Sequence, residues 1–455
     1  MDFYTKKIGV WGLGIVGKAA IRFFHSQNIS VDVMEKRDIS EEEQIFLTDN
    51  HATLYKQTNV IEFLSSHDLC IASPGIDLRP YSHYSDRFIT ELDIFYYVWK
   101  KPIIAITGSV GKTTTTHLLS QLLESSMRIA TGGNIGIGML DLLAQQESCD
   151  AALLELSSFQ LEQCKEFAPS LALWTNFHEN HLDRHATAAD YFKAKANIFS
   201  HQKNTDTAIV PLALYKNIRS FFPDRAFIWC SAIPPATEFE LQNNDSIYYL
   251  EHDTIVLRKN SNKRTICSID LLPKLSFLEN WIAIIAALDT LQIPLIPLLQ
   301  RTHSLQVPEH RLEEVATIKG VTFYNDSKST IPMATIAALN NFPQKPIILF
   351  VGGVSKGVDR FPFIKSLAGK VKLLYCFGKE ARELCDVALS SNIASFSYDT
   401  LEDAVVSCIQ TMQDGDVVLF SPAGASYDLF KNYEERGDRF KLMITNSAKQ
   451  LTRNH

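Results

Sequence analysis

The 455-residue sequence lacks several features that mark whole classes of protein. Its eight cysteines form no CxxC pair and no dense cluster, so a zinc site or a disulfide framework is poorly supported. Lys and Arg total 44 against 51 Asp and Glu, and the resulting net charge of −7 argues against nucleic acid as a partner. Repeats of 20 to 50 residues and low-complexity tracts are also missing, so the expected domains are distinct units.

A long uninterrupted apolar run is missing as well. The most apolar stretch, residues 281–299, contains Asp289, Gln292, Pro294 and Pro297, whereas a spanning helix needs roughly 20 apolar residues. We expect a buried core helix followed by a loop there, and no membrane insertion. The N-terminal residues lack the order of a signal peptide, so a reduced, cytoplasmic setting is the default expectation.

Short apolar runs that end in Gly- or Ser-rich turns do recur along the chain. Continuous rather than alternating apolar runs predict parallel strands covered on both faces, which is the doubly wound α/β class. The runs are Ile8–Trp11, Ile29–Met34, Leu69–Ala72, Ile103–Thr107, Ala151–Leu156, Leu171–Thr175, Ile347–Val351, Leu373–Phe377 and Val417–Ser421.

Three α/β domains are predicted from where these series begin. A new strand and glycine turn start after Pro102, and Pro308 interrupts a polar connection before the last series. We therefore expect domains at residues 1–100, 101–305 and 306–455. Between residues 205 and 275, strand-like stretches alternate with turn residues and suggest a small antiparallel addition to the middle domain.

The strongest local signal follows the run Ile103–Thr107. It reads Gly108-Ser109-Val110-Gly111-Lys112-Thr113-Thr114, the short GxxGK[ST] form of a phosphate loop. Backbone N–H groups and a helix N-terminus can hold phosphate oxygens there, while the lysine neutralises them and a threonine hydroxyl can bind magnesium. An ordinary tight turn is the alternative.

A second glycine turn, Gly12-Leu-Gly14-Ile-Val-Gly17, follows the first apolar run. Glu35 lies directly after the second apolar run, Ile29–Met34. The pattern is typical of dinucleotide binding, but by itself it is weak. Another diphosphate ligand or mere close packing of a helix on a strand would also explain it. Lys36 and Arg37 favour phosphate or uridine contacts, although both could be ordinary surface cations.

A shared metal site is predicted from residues that follow the phosphate loop. Glu155 lies at the end of one apolar run and His181 follows the next, at the edge where α/β enzymes place their sites, and Lys195 follows in a helical segment. A carboxylate and an imidazole could complete a magnesium sphere that begins with the loop threonine and nucleotide oxygens.

Taken together, these pieces resemble the Mur ligases. The matching segments run in family order across nearly the whole chain: 12–17, 107–113, GlyGlyAsnIleGly at 132–136, GluLeuSerSerPheGlnLeuGlu at 155–162, AsnHisLeuAspArg at 180–184, AlaLys at 194–195, HisArg at 310–311, AspSerLysSerThr at 326–330 and 421–437. Segments 155–162 and 421–437 favour the member that adds D-glutamate to UDP-N-acetylmuramoyl-L-alanine. The resemblance implies an N-terminal Rossmann-like domain for the UDP substrate, a central ATPase domain and a C-terminal Rossmann-like domain for the amino acid.

The resemblance also implies site residues. UDP-substrate contacts would come from Gly14, Ile15, Val16, Lys36, Arg37, Gly75 and Asn134. ATP contacts would come from the loop Gly108, Ser109, Val110, Gly111, Lys112, Thr113 and Thr114, and from His310, Arg311, Asp326 and Lys328. Magnesium would be held by Thr113 or Thr114, Glu155, His181 and Lys195, the last as an N-carboxylated carbamate. D-Glutamate would meet Thr330, Lys356, Ser426, Tyr427 and Tyr433.

Two departures from the family pattern concern the amino-acid pocket. Tyr427 and Tyr433 stand where the relatives usually carry Leu and Phe, and the segment before Lys356 lacks an Asp often found there. The implied activity is ATP-dependent amide formation through an acyl phosphate, catalysed by a monomer that uses small-molecule substrates. The rivals are a sister ligase for another amino acid or for folate, an NAD-dependent oxidoreductase and a non-catalytic nucleotide-binding regulator.

Overall fold

The computed structural model describes residues 3–55, 59–181, 184–237, 239–242, 244–273, 277–300, 302–355 and 357–453. The chain divides into two compact units. One consists of Met1–Phe177 with Ala189–Leu305, and the other of His178–Ala188 with Gln306–His455. The domain limits drawn from the sequence at residues 100 and 305 stay a prediction.

The first unit begins with a four-stranded parallel sheet in the order β3-β2-β1-β4. Every residue of β1 is buried, which is why this run is continuously apolar. The strands are β1 Ile8–Trp11, β2 Val31–Met34, β3 Ala52–Leu54 and β4 Leu69–Ala72, and the helices are α1 Ile15–Ser26, α2 Glu41–Asp49, α3 Val60–Ser66 and α4 Glu91–Val98, with a 3-10 helix at Arg79–Arg87.

A nine-stranded sheet in the order β13-β12-β11-β10-β9-β8-β5-β7-β6 completes the first unit. Its strands are β5 Ile103–Thr107, β6 Ile129–Gly133, β7 Ala151–Glu155, β8 Leu171–Trp174, β9 Thr207–Pro211, β10 Ile228–Ser231, β11 Ser246–Glu251, β12 Thr254–Lys259 and β13 Asn262–Ser268. The pairs β11–β12 and β12–β13 are antiparallel, which confirms the predicted antiparallel addition.

Helices α5 Lys112–Leu123, α6 Ser158–Glu162, α7 Ala188–Ser200, α8 Tyr215–Phe221, α9 Leu278–Thr290 and α10 Leu295–Leu299 belong to this part of the chain, with 3-10 helices Met139–Ser148, Leu212–Leu214, Ile269–Leu271 and Thr302–Ser304. The core helix expected in residues 281–299 is confirmed, because α9 is buried from Asn280 to Leu288. The expected loop follows α9, where Gln292 turns the chain with φ 58°, but it is short, because α10 begins directly after Pro294.

The second unit holds a six-stranded sheet in the order β14-β15-β19-β16-β17-β18. Among the described strand pairs of this sheet, β14–β15 alone is antiparallel. The strands are β14 Glu313–Ile318, β15 Val321–Asn325, β16 Ile347–Gly352, β17 Leu373–Phe377, β18 Ser395–Tyr398 and β19 Val417–Phe420, and the helices are α11 Pro332–Leu339, α12 Phe361–Ser366, α13 Ala381–Ser390, α14 Leu401–Thr411 and α15 Tyr433–Arg453.

The predicted α/β class is confirmed. All nine apolar runs singled out in the sequence contain a strand, and their boundaries differ by at most two residues. Among the described helices, none combines the length and the apolar character that crossing a bilayer requires.

Candidate active site

The turn after β5 is built by two glycines in conformations that side chains disfavour. Gly108 has φ +149° and Gly111 has φ +82°, and α5 begins at the next residue, Lys112. A Cβ on Gly108 would lie 1.9 Å from Thr175 Oγ1, so no other residue fits there without movement. The strand, glycine turn and helix start that the sequence predicted are therefore present.

Two residues that directly follow the neighbouring strand β8 hold this turn by hydrogen bonds. Thr175 Oγ1 donates to Val110 O at 2.8 Å, and Asn176 Oδ1 accepts the Val110 N–H at 2.9 Å. The Ser109 N–H donates to Asn176 O at 3.0 Å. This role of Thr175 and Asn176 was not predicted from the sequence. Their position at the end of an apolar run suggested that they lie near a site. That they contact this loop depends on β8 being the neighbour of β5, which the sequence does not show.

Two lysine amines meet at one backbone oxygen of the loop. Lys112 Nζ donates to Gly108 O at 3.0 Å, and Lys195 Nζ, from α7, donates to the same oxygen at 2.8 Å. Two ammonium groups so close would repel each other strongly, since the surroundings exclude water. The arrangement therefore favours a neutral amine on one of them.

Lys195 is the lysine that its surroundings favour as neutral. Its side chain is almost fully buried, and burial, assisted by repulsion from Lys112, holds its pKa well below the usual range for lysine, against an opposing attraction from Glu155. The ring of Tyr191 lies 4.6 Å from Lys195 Nζ, and the Tyr191 hydroxyl lies 3.3 Å from Ser109 Oγ. Burial raises the pKa of Tyr191 to about 12.

Glu155 ends β7 beside the loop and is only 1% exposed. Its Oε1 accepts from Asn134 Nδ2 at 3.0 Å, and its backbone oxygen accepts the Asn134 N–H at 2.8 Å. Within the described ranges, no group donates a hydrogen bond to the buried Oε2. A buried carboxylate oxygen without a donor is costly, and a nearby cation could satisfy Glu155 Oε2.

The other predicted metal ligands lie in different surroundings. Thr114 is buried in the first turn of α5 and Thr113 is partly exposed. His181 lies in the segment His178–Ala188 that belongs to the second unit, where it adopts φ 58° and its N–H donates to Asn180 Oδ1 at 2.9 Å. Its participation in a metal site stays a prediction.

The glycine turn at residues 12–17, after β1, is tightly packed. A Cβ on Gly17 would lie 1.8 Å from Gly12 O, which explains the close approach of α1 to the strand. Gly14 is the N-cap of α1 and supplies no side-chain cap, and Ile15 is 62% exposed. The N-terminal N–H groups of α1 can thus bind an anion. Val16 follows within the same turn of helix, and Gly75 lies in the loop after β4.

The acidic residue after β2 is already occupied by backbone donors. Glu35 Oε2 accepts the Leu13 N–H at 2.9 Å, and Oε1 accepts the Lys36 N–H at 2.9 Å. Ribose hydroxyls of a dinucleotide would have to compete with these donors, which weakens the NAD alternative. Lys36 Nζ lies 5.5 Å from the Trp11 ring, while the Arg37 guanidinium binds Glu43 in two hydrogen bonds of 2.7 and 2.8 Å and lowers the pKa of Glu43 to about 2.

In the second unit, Asp326 anchors a buried polar cluster at the carboxyl end of β15. Its carboxylate accepts from Ser329 Oγ at 2.5 Å, from Ser421 Oγ at 2.7 Å and from Arg311 at 3.3 Å. Burial raises the pKa of Asp326, and the nearby Arg311 opposes that rise. The structure thus brings Asp326 and Arg311 together, as two of the residues predicted to contact ATP.

The residues predicted for the amino-acid pocket also follow strands of this sheet. Lys328 Nζ donates to the Tyr433 hydroxyl at 2.8 Å and lies 4.8 Å from its ring. Ser426 is buried, Tyr427 is 69% exposed and Thr330 is partly exposed. Lys356 lies outside the described residues.

His310 is buried within the second unit, next to α15. It has φ 61°, and its Nδ1 lies 2.9 Å from Asn325 Nδ2. Its Nε2 lies 3.9 Å from Glu309 Oε2 and 3.8 Å from Asp438 Oδ1. Lys441 forms ion pairs with both of these carboxylates. Because the Asn325 amide nitrogen is a donor, Nδ1 is the acceptor. His310 therefore carries its proton on Nε2, which speaks against a metal at this cluster.

Two buried arginines that sequence reasoning missed hold the loops of this sheet. Arg360 donates to Gly352 O at 2.9 Å, to Gly353 O at 2.8 Å and to Glu380 Oε2 at 2.6 Å. Arg436 donates to Ser327 O at 2.7 Å, and burial lowers its pKa to about 9. Arg436 lies in the segment 421–437, but its burial was not readable from an arginine in the sequence.

A glycine turn between a buried strand and a helix, with a lysine folded over it, defines the phosphate-loop class of nucleotide-binding α/β proteins. Three family profiles match the chain in order: the Mur ligase MurD-like N-terminal domain at residues 6–82, the Mur ligase middle domain at 106–288 and the Mur ligase glutamate ligase domain at 310–424. The chain belongs to the Mur ligase family.

Curated relatives match almost the whole chain. A UDP-N-acetylmuramoylalanine–D-glutamate ligase of Pelotomaculum thermopropionicum is 33% identical over 98% of this chain and 99% of its own length. The proteins of the same name from Thermoanaerobacter sp. and Desulfotalea psychrophila are 32% and 33% identical, again over 98% of this chain and over 99% and 96% of their own lengths.

Solved structures share the fold at low sequence identity. A UDP-N-acetylmuramate-alanine ligase (MurC) from Thermotoga maritima has a TM-score of 0.58 at 17% identity, covering 97% of this chain and 100% of its own. A MurF ligase from Thermotoga maritima, solved in complex with ADP, has a TM-score of 0.57 at 19% identity, covering 93% of this chain and 95% of its own. These similarities confirm the predicted fold.

Proposed function

We propose that this chain joins D-glutamate to UDP-N-acetylmuramoyl-L-alanine, with conversion of ATP to ADP and phosphate, in peptidoglycan precursor synthesis. The observation that carries the proposal is full-length identity of 31 to 33% to curated relatives named for this reaction. The phosphate loop of β5 and α5, with Lys112 folded over it, supplies the ATP chemistry that the reaction needs.

An acyl phosphate accounts for the use of ATP. The L-alanine carboxylate attacks the γ-phosphorus, and the bond to ADP breaks. The D-glutamate amine then attacks the carbonyl carbon, and phosphate leaves from the tetrahedral intermediate to give the amide. A free carboxylate would have to expel oxide, so phosphorylation provides a leaving group that departs readily. Lys112 and the backbone N–H groups at the N-terminus of α5 stabilise the charge that moves in the first step.

Magnesium fits the acidic side of the loop. Glu155, with its buried Oε2, is the ligand that the contacts support best, and Thr113 or Thr114 and His181 complete the proposed set. When bound, the ion neutralises phosphate oxygens during transfer. Asn134, hydrogen-bonded to Glu155, is proposed to meet the reacting end of the muramoyl substrate.

Lys195 is proposed to act as an N-carboxylysine. A neutral amine attacks CO₂, a C–N bond forms and one proton leaves, which produces an anion beside the metal ligands. Burial of Lys195 and its shared contact with Lys112 on Gly108 O favour the neutral amine that this reaction requires. The product carbamate would be an anion that attracts the Lys112 ammonium and could bind magnesium.

Substrate contacts come from both ends of the chain. The N-terminus of α1 at Gly14 to Val16, with Lys36, Arg37 and Gly75, is proposed for the UDP moiety. In the second unit, His310, Arg311, Asp326 and Lys328 are proposed for ATP. D-Glutamate is assigned to Thr330, Lys356, Ser426, Tyr427 and Tyr433. Tyr427 is largely exposed and Tyr433 accepts a hydrogen bond from Lys328, and both are proposed to contact the D-glutamate.

A phosphate-release assay tests the proposal. Phosphate should appear only when ATP, UDP-N-acetylmuramoyl-L-alanine and D-glutamate are all present, and L-glutamate should be largely refused. Release with another amino acid would indicate a sister ligase, and hydride transfer to NAD would indicate the oxidoreductase. We also propose that the chain works as a monomer in the cytoplasm, where ATP is available. Sedimentation at working concentration and fractionation of cells check these two points.

A further inference from the structure

Glu91 is a buried carboxylate that the proposed chemistry does not use. It is the first residue of α4 and is 4% exposed. Its Oε1 accepts the Leu140 N–H at 3.2 Å. The 3-10 helix Met139–Ser148 has no side-chain cap of its own at Gly138, so Glu91 caps it from another element. Within the described parts of the chain, Glu91 Oε2 has no hydrogen-bond partner.

The capped helix is directly connected to the candidate active site. Asn134 lies four residues before Gly138 and is fastened to Glu155 by its side chain and its backbone. The intervening turn is closed by the Gly133 N–H, which donates to Ile137 O at 3.2 Å. A Cβ on Gly138 would lie 2.7 Å from Ala19 Cβ and 3.2 Å from Glu91 Oε1, so this end of the segment has no free space.

We propose that Glu91 is a positioning residue for Asn134, and that ionisation of the Glu91 carboxyl loosens the segment that presents Asn134 to the muramoyl substrate. The inference rests on the proposed function, because it assigns Asn134 to that substrate. An ionised carboxylate is costly where one of its oxygens is buried without a donor, so opening of the segment to water favours the charged form. The orphan Oε2 is the oxygen that would carry the proton.

The charges around Glu91 place its titration in the working range of an enzyme. Burial raises the pKa of Glu91 to about 7, the Leu140 and Met139 N–H groups oppose the rise, and the nearby Asp141 adds to it. Asp141 is itself bound by Arg22 of α1, at 2.8 and 2.6 Å. The charged groups that face Glu91 are therefore Asp141 and, through it, Arg22.

The test is the pH dependence of kcat/KM for UDP-N-acetylmuramoyl-L-alanine, measured with saturating ATP and D-glutamate. In the wild type it should fall roughly three- to tenfold between pH 6 and pH 8, as the buried carboxyl ionises and the segment loosens. Glu91→Gln keeps the acceptor but cannot ionise, so its profile should lose this step and stay at the higher level. KM for ATP should change less than twofold. Exposed Glu42→Gln is the matched control and should keep the wild-type profile.

Asp141→Asn provides a second test that leaves the Glu91 carboxylate in place. Removing the negative charge of Asp141 should move the midpoint of the step to lower pH, whereas Arg22→Gln should move it to higher pH. Wild-type turnover with superimposable profiles for Glu91→Gln, or midpoints that do not move in the two neighbours, would overturn the inference alone. A wild type without substrate-dependent phosphate release would remove the proposed function as well.

Discussion

At the scale of single residues, the chemistry of the phosphate loop depends on two lysines that share one carbonyl oxygen. Lys112 lies in the loop sequence, and Lys195 arrives from α7, 83 residues further along the chain. Lys112 is partly exposed and points along the loop, so it can remain charged and meet phosphate. Lys195 is buried, and its surroundings favour the neutral amine.

Replacing Lys112 with Ala should remove ATP turnover without unfolding the protein. The loss should be at least about a hundredfold, because a preorganised cationic donor at the transferring group disappears. Turnover is measured by phosphate release and folding by circular dichroism. Lys193→Ala, an exposed lysine on α7, is the control and should be fully active. A well-folded Lys112→Ala variant with normal turnover would refute the phosphate-loop assignment.

Replacing Lys195 with Ala should nearly abolish turnover, and added small carboxylic acids should restore part of it. The physical reason is that the vacated space lies beside Glu155 and Lys112, where an added carboxylate can replace the proposed carbamate. Labelled bicarbonate should give a carbamate signal in the wild type that Lys195→Ala lacks. The control Lys193→Ala should retain the signal. An unmodified Lys195 in an active, metal-loaded protein would contradict the carbamate.

At the scale of elements, the site depends on how a strand, a turn and a helix meet. Gly108 and Gly111 allow α5 to start directly after β5, with its first N–H groups facing the loop. The braces from Thr175 and Asn176 keep the loop in this shape without a ligand. Preformed donors cost little reorganisation when phosphate binds.

Gly108→Ala should weaken ATP binding by at least about tenfold. The new Cβ would lie 1.9 Å from Thr175 Oγ1, so either the loop or its brace must move. Gly415→Ala is the matched control: Gly415 has φ +85°, but nothing lies within 4 Å of its Cβ position. The control should therefore cost only about 1 to 2 kcal/mol of backbone strain and leave nucleotide affinity unchanged. Calorimetric titration with ADP distinguishes the two variants, and equal affinities would contradict the packing argument.

The second unit contains a comparable support around Arg360. Its guanidinium binds two successive carbonyls after β16, and its partner Glu380 accepts the Ser355 N–H at 2.9 Å, one residue before Lys356. Arg360→Lys loses the forked geometry. We expect KM for D-glutamate to rise about tenfold, with a smaller change for ATP. Arg382→Lys, at an exposed position of α13, should match the wild type. A uniform rise of all three KM values would indicate general unfolding instead.

At the scale of the whole molecule, buried carboxyl groups make stability depend on pH. The folded pKa of Glu91, about 7, lies above its usual value of 4.5, so the folded state binds this proton more tightly than the unfolded state. The stability that Glu91 contributes is therefore fully present below pH 4.5 and is lost as pH rises through 7. The difference amounts to about 3 kcal/mol.

Glu91→Gln should accordingly change the pH dependence of unfolding. Relative to the wild type, the variant should gain about 3 kcal/mol between pH 5 and pH 8, because it no longer buries a charge at the higher pH. Urea unfolding at both pH values measures the difference. Glu42→Gln, with an exposed side chain, should show none. A relative loss of stability in Glu91→Gln at pH 8 would mean that the ionised form of Glu91 is the better accommodated one.

Much of the protein was determined by its sequence alone. Apolar runs are continuous where strands are covered on both faces, so the α/β class and its strands could be predicted from residue order. The loop of Gly108 to Thr114 is local, since its glycines, lysine and helix start lie within seven residues. Residue order also predicted a shared metal site with Glu155 and Lys195, whereas the family resemblance supplied Asn134 and the carbamate of Lys195.

Tertiary structure decided what depends on neighbours distant along the chain. The order of the nine strands sets β7 and β8 on either side of β5, which brings Glu155, Thr175 and Asn176 to the loop. Burial then determines the protonation of Lys195 and Glu91, because the cost of a charge depends on the water excluded by surrounding elements. The order of residue types does not show which side chains are shielded from water. The burial of Glu91 and its hydrogen bond to the 3-10 helix could therefore be seen only in the folded chain.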